Sequence, residues 1–406
     1  GVSWVGLTSL WPAFFPYTPL IGLSQLPPWI QAAELGGVPA VEWIVLGFGY
    51  AVVAAGLATA PRARFAALGL AVAVPAVTWL AGTWRLESLD AAAQGAPVVR
   101  FGIIQPNTAL FANQRVDKMK RLWKMSAAAE REGAQVIVWP EAGIYPWVQE
   151  RPFLKDGRGV RRVLQAHKLP TILGVATRKA GDPYEWNTAV VMNAQGEVNG
   201  TFDKTVLVPF GEEIPVVDPD WARSFIPAMS HNHAGEQPAW FPVELVDGSA
   251  TYGAGPLICY EDIFPSFARQ VAAQDAGIEF FVNMTIDTWF GDTAEPWEHL
   301  ALAQFRSVEH RIPMVRSVAA GASSVIDHGG RLVASVPVTD PAPLRPVPPD
   351  RLVHDVALPR NTARSPTIYA RGGWMLGLLC SMVTVVVPLA ALGRSKYRPR
   401  ASDATS

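Results

Sequence analysis

The sequence predicts a layered α/β domain enclosed between membrane-spanning helices, and the distribution of charge is the first observation that indicates it. The 406 residues include 34 Lys and Arg and 35 Asp and Glu, but residues 1–84 hold only four of these charges and residues 372–406 only five. Residues 85–371 hold the other 60, a density close to that of soluble domains. The second observation is that strand-like and helix-like runs alternate in this central part. The formal net charge of −1 and the 50% hydrophobic composition exclude a disordered or nucleic-acid-binding chain.

Three uncharged stretches are long enough to cross a membrane as helices. They cover Trp43–Ala60, Phe65–Trp84 and Gly372–Gly393, and each would be about 27–33 Å long, against a hydrocarbon core of about 30 Å. The alternative is that they are buried helices of a soluble protein. Tryptophans near their ends favour membrane spans, because indole rings collect at the membrane interface. These tryptophans are Trp43, Trp79, Trp84 and Trp374.

Basic residues beside these stretches predict the orientation. Arg62 and Arg64 lie between the first two, and four Lys and Arg residues follow the third within 394–400. Because short cytoplasmic segments are enriched in Lys and Arg, both places are expected on the inner side. The expected parts are a membrane region (1–84), an outer-face domain (85–371), a transmembrane helix (372–393) and a basic cytoplasmic tail (394–406).

The first residues are apolar but rich in proline. Residues 1–33 carry no charge, and five prolines interrupt them. We expect the end of a helix followed by a loop on the outer face. Because the chain begins with Gly1 inside an apolar stretch, we also expect that earlier membrane helices precede it in the full protein.

Predicted strands and helices alternate through the central part. Strands are expected at Val98–Ile104, Gln135–Trp139, Thr171–Ala176, Asn187–Met192, Glu197–Phe202, Pro256–Cys259, Ile278–Asn283, Met314–Val318, Ser323–Ile326 and Leu332–Val336. Helices are expected from a cap at Asn113 to about Glu132, and at about Val160–Lys168, Pro265–Ala276 and Pro296–His310. The Pro-rich stretch Pro341–Pro349 is expected to lead the chain back to the membrane.

Three residues with complementary chemistry each lie at the end of a predicted strand. They are Glu141 in Val-Trp-Pro-Glu, Lys204 in Phe-Asp-Lys and Cys259 in Leu-Ile-Cys, and catalytic groups collect at such strand ends in α/β proteins. A cysteine attacks as the thiolate, a nearby ammonium lowers the thiol pKa, and a carboxylate moves the proton. Lys204, helped by the backbone N–H of Tyr260, would also stabilise an oxyanion.

Each of the three also has a plainer interpretation. Glu141 could be a surface carboxylate, Lys204 a solvated lysine and Cys259 a small buried residue. The only other cysteine, Cys380, lies in the third apolar stretch and is expected to pack there.

At these residues the sequence resembles the nitrilase, or carbon–nitrogen hydrolase, superfamily, and within it the apolipoprotein N-acyltransferases. The resemblance extends from about Phe15 to Arg394. It rests on Pro16-Tyr17 to Gln25, Trp139-Pro140-Glu141, Lys204 with Leu207-Val208-Pro209-Phe210-Gly211-Glu212, Ile258-Cys259-Tyr260-Glu261, and Trp289-Phe290-Gly291-Asp292 followed by Pro296-Trp297 and His299. The Val-Pro-Phe-Gly-Glu and Cys-Tyr-Glu runs between membrane spans are typical of the acyltransferase branch.

The resemblance implies a nitrilase-like αββα sandwich flanked by transmembrane helices. It also implies a multi-pass protein of the bacterial inner (cytoplasmic) membrane, with its catalytic domain on the periplasmic face. The implied catalytic residues are Glu141, Lys204 and Cys259, and the implied supporting residues are Glu212, Tyr260 and Glu261.

The resemblance further implies a ping-pong reaction that needs no metal or cofactor. Cys259 would take an acyl chain from a phospholipid donor, usually phosphatidylethanolamine, as a thioester. The α-amine of a diacylglyceryl apolipoprotein would then accept that chain. The partners implied are therefore membrane lipids and apolipoproteins, and no nucleic acid.

Three loops rich in aromatic residues are expected to lie at the lipid surface. Moving a diacylated lipid out of the bilayer costs about 0.8 kcal/mol of free energy for each CH₂ group, so the active site has to come to the membrane. The loops are Ile144–Val148, Trp221–Met229 and Trp289–Trp297. The alternative is that their aromatic rings pack in the domain core. The candidate lipid-facing residues are Trp147, Trp221, Phe225, Trp289, Phe290 and Trp297.

Two departures from the family pattern leave substrate positioning and the acceptor range open. Ile286 precedes Asp287 where the family usually has Asn, and Ala319-Ala320 precede Gly321 where it usually has a polar Asn. Elsewhere, the His-x-His pattern at 231–233 has no third ligand at metal-site spacing, so no metal site is predicted.

Two other functions compete with the acyltransferase. One is a membrane-tethered amidase or nitrilase, in which water resolves the acyl-enzyme. The other is a non-catalytic membrane scaffold that keeps an inactive domain. The intact Glu141, Lys204 and Cys259 argue against the scaffold, and the Val-Pro-Phe-Gly-Glu run with its membrane spans argues against the amidase.

Overall fold

Two β-sheets lie face to face in the computed structural model, with helices on their outer sides. The structure describes residues 2–11, 15–107, 115–143, 149–151, 160–214, 217–225, 231–274, 277–287, 293–336, 350–359 and 366–396. The strands are β1 (Val98–Gln105), β2 (Val136–Val138), β3 (Gln149–Glu150), β4 (Thr171–Arg178), β5 (Trp186–Met192), β6 (Val198–Asp203), β7 (Phe241–Glu244), β8 (Thr251–Ile258), β9 (Phe280–Thr285), β10 (Met314–Val318), β11 (Ser324–Ile326), β12 (Leu332–Ser335) and β13 (Asp350–Ala357).

The helices occur both in the sandwich and at the two ends of the chain. They are α1 (Val2–Leu10), α2 (Pro27–Ile30), α3 (Ala33–Gly36), α4 (Val38–Leu57), α5 (Pro61–Ala92), α6 (Arg115–Arg131), α7 (Pro219–Phe225), α8 (Pro265–Ala272), α9 (Glu295–His310), α10 (Ile368–Arg371) and α11 (Leu376–Lys396). Short 3₁₀ turns include Ile21–Gln25, Arg161–Gln165 and Cys259–Ile263.

The two sheets repeat one strand pattern. The first has the order β13-β1-β2-β4-β5-β6, with β3 beside β4, and the second has the order β12-β11-β10-β9-β8-β7. In the first sheet, β1, β2 and β4 are parallel neighbours, and β5 and β6 continue the sheet as antiparallel strands. In the second sheet, β8, β9 and β10 are parallel neighbours, and β11 and β12 continue it as antiparallel strands. The fold confirms the predicted α/β class and shows a structural repeat that the sequence does not reveal.

Apolar side chains fill the space between the sheets. The rings of Phe101 on β1 and Phe280 on β9 lie 4.9 Å apart, and both side chains are fully buried. Polar contacts cross the same interface as well; for example, the Ser317 hydroxyl on β10 donates to the carbonyl of Ile104 at 3.0 Å. Outside the sandwich, α6 packs on β1 and α8 on β8.

Most predicted strands agree with the structure to within a few residues, but one predicted helix was wrong, and the strands β3, β7 and β13 were not predicted. The helix expected at about Val160–Lys168 is only the 3₁₀ turn Arg161–Gln165, because a segment this short that stops before Pro170 gains too few hydrogen bonds to form an α-helix. Strand β7 contains Pro242, which a sheet tolerates at its edge. Strand β13 contains charged residues, which edge strands also carry. Neither strand was predicted.

Several sequence-based expectations fall outside the described residues. They are the cap at Asn113, the connector Pro341–Pro349 and the tail beyond Lys396.

Helices α4 and α5 are long and apolar enough to cross a membrane, judged by length and composition. The third predicted span forms α11 and the 3₁₀ turn Gly373–Met375 before it, and the apolar helical stretch is shorter, Gly373–Leu389. Helix α1 packs against α11, where the Ser381 hydroxyl donates to the carbonyl of Gly6 at 2.9 Å. Cys380 is buried at this contact, as expected.

Glu34 joins the amino-terminal helices to the sandwich. Its carboxylate accepts from Arg85 on α5 at 2.5 and 2.7 Å and from Arg311, just beyond α9, at 2.6 Å. Only 6% of the Arg311 side chain is exposed. Arg311 also donates to Gln31 at 2.8 Å. The junction therefore fixes α3, α5 and the end of α9 relative to one another.

Replacing Glu34 should destabilise the whole chain. In Glu34→Gln the buried guanidinium of Arg311 loses its counter-ion, which costs about 3 kcal/mol for a buried pair. Thermal unfolding of the full-length protein in detergent should show this loss. The control is Asp90→Asn, which breaks the more exposed ion pair with Arg331 and should change stability by less than about 1 kcal/mol. Equal effects of the two variants would contradict the prediction.

Candidate active site

Glu141 lies on a turn that crosses the first sheet. The turn after β2 passes so close to Gly174 of β4 that a Cβ at Gly174 would lie 2.7 Å from the Ala142 nitrogen and 2.9 Å from the Glu141 Cα. Ala142 has a φ of +48° as the chain turns. Because glycine has no side chain at position 174, the turn can lie flat on the sheet and bring Glu141 towards β5 and β6.

Lys204 follows β6 directly, and its ammonium group is buried between two carboxylates. Nζ lies 2.7 Å from Oε2 of Glu212 and 3.4 Å from Oε1 of Glu141. Burial acts to lower the pKa of Lys204, but Glu141 and Glu212 outweigh it and raise this pKa well above its ordinary value. The Val208 N–H donates to Glu212 at 3.0 Å, so the Val-Pro-Phe-Gly-Glu segment folds back onto the lysine.

Asn187 on β5 is a site residue that the sequence analysis missed. Its Nδ2 donates to Oε1 of Glu141 at 2.6 Å and lies 3.5 Å from Oε1 of Glu212. Its backbone carbonyl accepts from the Lys204 N–H at 2.8 Å. The available signal was a polar residue at the start of an otherwise apolar hairpin strand.

Cys259, the last residue of its predicted strand, lies one residue beyond the strand that the structure shows. Strand β8 ends at Ile258, and Cys259 begins the 3₁₀ turn with a φ of +50°. A left-handed conformation costs a non-glycine residue about 1–3 kcal/mol. Asn283 on β9 holds the turn by donating to the carbonyl of Cys259 at 3.2 Å.

Glu261 ties the turn of Cys259 to the loop after Lys204. Its fully buried carboxylate accepts from the backbone N–H of Ile258 at 2.8 Å, and from those of Thr205 at 2.6 Å and Val206 at 3.1 Å. Burial raises the pKa of Glu261 to about 8, and the three amide donors oppose this shift. One carboxylate therefore connects the two sheets at the site.

The surroundings of the Cys259 thiol favour its protonated form. Burial raises its pKa well above the ordinary value, Glu141 and Glu212 add to this, and Lys204 only partly opposes it. The expected lowering by Lys204 is therefore outweighed, and the thiol needs a base. Burial also raises the pKa of Glu141, and its Oε2 makes no hydrogen bond within the described part of the chain, so this oxygen has a lone pair available for the proton.

Cys259 lines a cavity of about 310 Å³ between the turn Cys259–Ile263 and the amino-terminal segment Phe15–Tyr17. The ring of Phe15 packs edge-on against Tyr260, with centroids 5.2 Å apart. Most of the wall is apolar and includes Phe15, Pro16, Tyr17, Ile263, Ile286 and Leu302. The side chain of Cys259 therefore borders space suited to a hydrocarbon chain rather than to a small polar amide.

The sequence model of a known protein family matches this part of the chain. The sequence model of the carbon-nitrogen hydrolase family covers residues 91–340, more than half of the protein and all three of Glu141, Lys204 and Cys259. The chain belongs to the carbon–nitrogen hydrolase family.

The chain is similar to proteins named apolipoprotein N-acyltransferase. That of Rhizobium rhizogenes is 30% identical over 349 residues, and that of Brucella melitensis is 28% identical over 337 residues. Each alignment covers 79% of this chain and 61% of the relative. The chain thus spans about three fifths of their length. Among solved structures, Nit3 of Saccharomyces cerevisiae, a member of branch 10 of the nitrilase superfamily, aligns with a TM-score of 0.48 at 14% identity, covering 68% of this chain and 93% of Nit3.

Three candidate lipid-facing residues of the carbon–nitrogen hydrolase domain are exposed. Trp221 and Phe225 on α7 are 59% and 69% exposed, with ring centroids 5.0 Å apart, and Trp297 at the start of α9 is 41% exposed. The alternative that these rings pack in the core is therefore wrong. Trp147, Trp289 and Phe290 lie outside the described residues.

A second buried charge cluster packs behind the turn of Cys259. His299 on α9 lies 2.7 Å from Asp262, in the turn of Cys259, and 3.2 Å from Asp287. Arg316 on β10 donates to the same two carboxylates at 2.8 and 3.1 Å. Burial and Arg316 act to lower the pKa of His299, but Asp262 and Asp287 outweigh them and raise it to about 9.

The raised pKa of His299 predicts a loss of stability at alkaline pH. The folded protein holds the imidazolium proton more tightly than the unfolded chain, so this stabilisation is complete below about pH 6.5 and is lost as pH rises through about 9. His299→Gln should reduce the fall in melting temperature between pH 6.5 and 9. His167→Gln is the control, because burial lowers the pKa of His167 to about 4. If His299→Gln keeps the full alkaline loss, the cluster is not protonated as described.

Proposed function

We propose that this protein transfers a fatty acyl chain from a membrane phospholipid to the α-amine of the S-diacylglyceryl cysteine of an apolipoprotein. The reaction proceeds through a thioester on Cys259. The observation that carries the proposal is the position of Cys259 in a mostly apolar cavity, one wall of which is the segment Phe15–Tyr17 that precedes the apolar helices. The similarity to proteins named apolipoprotein N-acyltransferase supports the same function.

The proposal places α4, α5 and α11 across the bacterial inner membrane. Large apolar side chains such as Leu57, Phe65 and Leu80 are exposed on α4 and α5, which suits contact with lipid tails. Arg62 and Arg64 between these helices favour the cytoplasmic side. Residues 85–371 then form a catalytic domain on the periplasmic face, with a basic cytoplasmic tail at 394–406.

In the first half-reaction, Glu141 accepts the proton of the Cys259 thiol and the sulfur attacks the ester carbonyl of a phospholipid such as phosphatidylethanolamine. The Lys204 ammonium and the backbone N–H of Tyr260 stabilise the oxyanion of the tetrahedral intermediate. The C–O bond breaks, the leaving alkoxide takes the proton from Glu141, and a lysophospholipid departs. Glu212 and Asn187 hold Lys204 and Glu141 in place.

In the second half-reaction, the neutral α-amine of the diacylglyceryl cysteine attacks the thioester carbonyl. Glu141 accepts the proton that the nitrogen loses as the C–N bond forms, the C–S bond breaks, and the proton returns to the sulfur. The products are the N-acylated lipoprotein and the free Cys259 thiol. No step requires a metal or a cofactor.

Formation of the thioester tests the proposal directly. Incubation of the full-length protein with phosphatidylethanolamine should add a fatty-acyl mass to the peptide that contains Cys259, as measured by mass spectrometry. The Cys259→Ala variant should acquire no adduct, whereas Cys380→Ala, which removes the other cysteine, should acquire the normal one.

The fate of the adduct distinguishes the acyltransferase from the amidase. A diacylglyceryl lipopeptide with a free α-amine should discharge the thioester and carry the acyl chain away. Discharge by water at the same rate without lipopeptide would favour a hydrolase. A wild-type protein that never acquires the adduct would refute both functions and favour the scaffold.

The exposed rings of α7 predict a contact with the lipid surface. Replacing Trp221 and Phe225 with Ser should lower the turnover of phospholipid presented in vesicles about tenfold or more. Each ring contributes about 1.5–3 kcal/mol to binding when it is buried in an apolar environment. The melting temperature should not change, because both rings are exposed. Val246→Ser is the control at another exposed apolar position. Unchanged turnover on vesicles would reject the lipid contact.

A further inference from the structure

Glu295 supplies a buried carboxylate oxygen to the wall of the cavity beside Cys259, and neither the fold nor the proposed chemistry uses that oxygen. Glu295 is the first residue of α9 and lines this cavity together with Cys259. Of the other two acidic residues of the wall, Glu212 is paired with Lys204 and Glu298 is exposed to solvent. Oε2 of Glu295 is buried and makes no hydrogen bond within the described residues. A carboxylate oxygen shielded from water in this way is costly unless a donor reaches it in some functional state.

The charges behind Glu295 leave its negative charge without a full counterpart. His299 and Arg316 already match Asp262 and Asp287 through the ion pairs of the buried cluster. Glu295 is a third carboxylate beside these two cations, and its Oε1 is 3.7 Å from the His299 Nδ1. Ionised Glu295 therefore leaves one excess negative charge at the wall of an apolar cavity, which favours binding of a cation there.

The form of that cation follows from the neighbouring groups. Asp287, Glu295 and His299 approach one another closely enough to hold a metal ion, but the oxygens of Asp287 already accept from Arg316 and both nitrogens of His299 face carboxylates. What remains open is one oxygen of Glu295, next to space suited to a hydrocarbon chain. A positively charged group of a lipid that donates a hydrogen bond to this oxygen fits the arrangement.

We propose that Glu295 binds the primary ammonium group of a lipid substrate in the cavity of Cys259. The inference rests on the proposed acyltransferase function, in which such a group occurs twice, on the ethanolamine head group of the donor and at the α-amine of the acceptor. Glu295 is thus a specificity residue that selects aminated lipids and sets them beside the sulfur. Burial raises the pKa of Glu295 to about 7, and an ammonium bound to the carboxylate would lower it again.

Equilibrium binding without turnover tests the inference. The protein is the full-length Cys259→Ala variant in detergent, with or without Glu295→Gln. Two pairs of probes are used, each a free amine and its N-acetylated form: phosphatidylethanolamine against N-acetyl phosphatidylethanolamine, and a diacylglyceryl lipopeptide against its N-acetyl form. At least one free amine should bind about tenfold more tightly than its acetylated form, because hydrogen bonds to charged groups contribute about 1.5–3 kcal/mol.

Glu295→Gln should abolish this ratio and leave the affinity for the acetylated probes unchanged. Loss in the phosphatidylethanolamine pair assigns Glu295 to the donor head group, and loss in the lipopeptide pair assigns it to the acceptor. Glu244→Gln, which removes an exposed carboxylate of β7, should keep the ratio.

Two results would overturn the inference: no discrimination in either pair by the protein with Glu295, or a ratio that survives Glu295→Gln. An equal loss of affinity for all four probes would indicate a purely structural role and would also overturn it. Because binding needs no catalysis, these results are separate from a failure of the proposed function, which would appear as the absence of an acyl group on Cys259 in the wild-type protein.

Discussion

The carboxylate of Glu261 is the interaction on which the site depends. It accepts backbone hydrogen bonds from Ile258 at the end of the second sheet, and from Thr205 and Val206 after the last strand of the first. These three hydrogen bonds tie the left-handed turn of Cys259 to the loop of Lys204. One buried side chain thus helps to fix the position of Cys259 relative to Lys204 across the two sheets.

Around that connection the site separates two kinds of environment. On one side Lys204, Glu141, Glu212 and Asn187 form a closed polar group with little exposed surface. On the other side the sulfur faces apolar walls, part of which comes from the segment before the long apolar helices. This division suits a reaction in which protons move within the polar group while a long alkyl chain lies in the apolar cavity beside it.

Much of this arrangement could be predicted from the sequence, because local patterns specify local structure. Runs such as Met314–Val318 form strands with the predicted bounds, and the strand ends place Glu141, Lys204 and Cys259. Asn187 could not be predicted, since its role arises only when β5 lies between Glu141 and Lys204. The cluster around His299 was missed for the same reason, because its members come from four separate segments. The raised pKa of Cys259 was not predicted either. Burial raises this pKa by more than Lys204 lowers it, and burial is a property of the assembled fold.

Surroundings that favour the protonated form of the Cys259 thiol have a consequence for its resistance to oxidation. Oxidants and disulfides react with thiolates far faster than with thiols. On the proposed outer face the protein would work in a compartment where disulfides form readily. In the proposed mechanism, Cys259 would become a thiolate only when Glu141 takes its proton during attack on substrate. The buried thiol would then stay in the unreactive form between turnovers without the aid of a reductant.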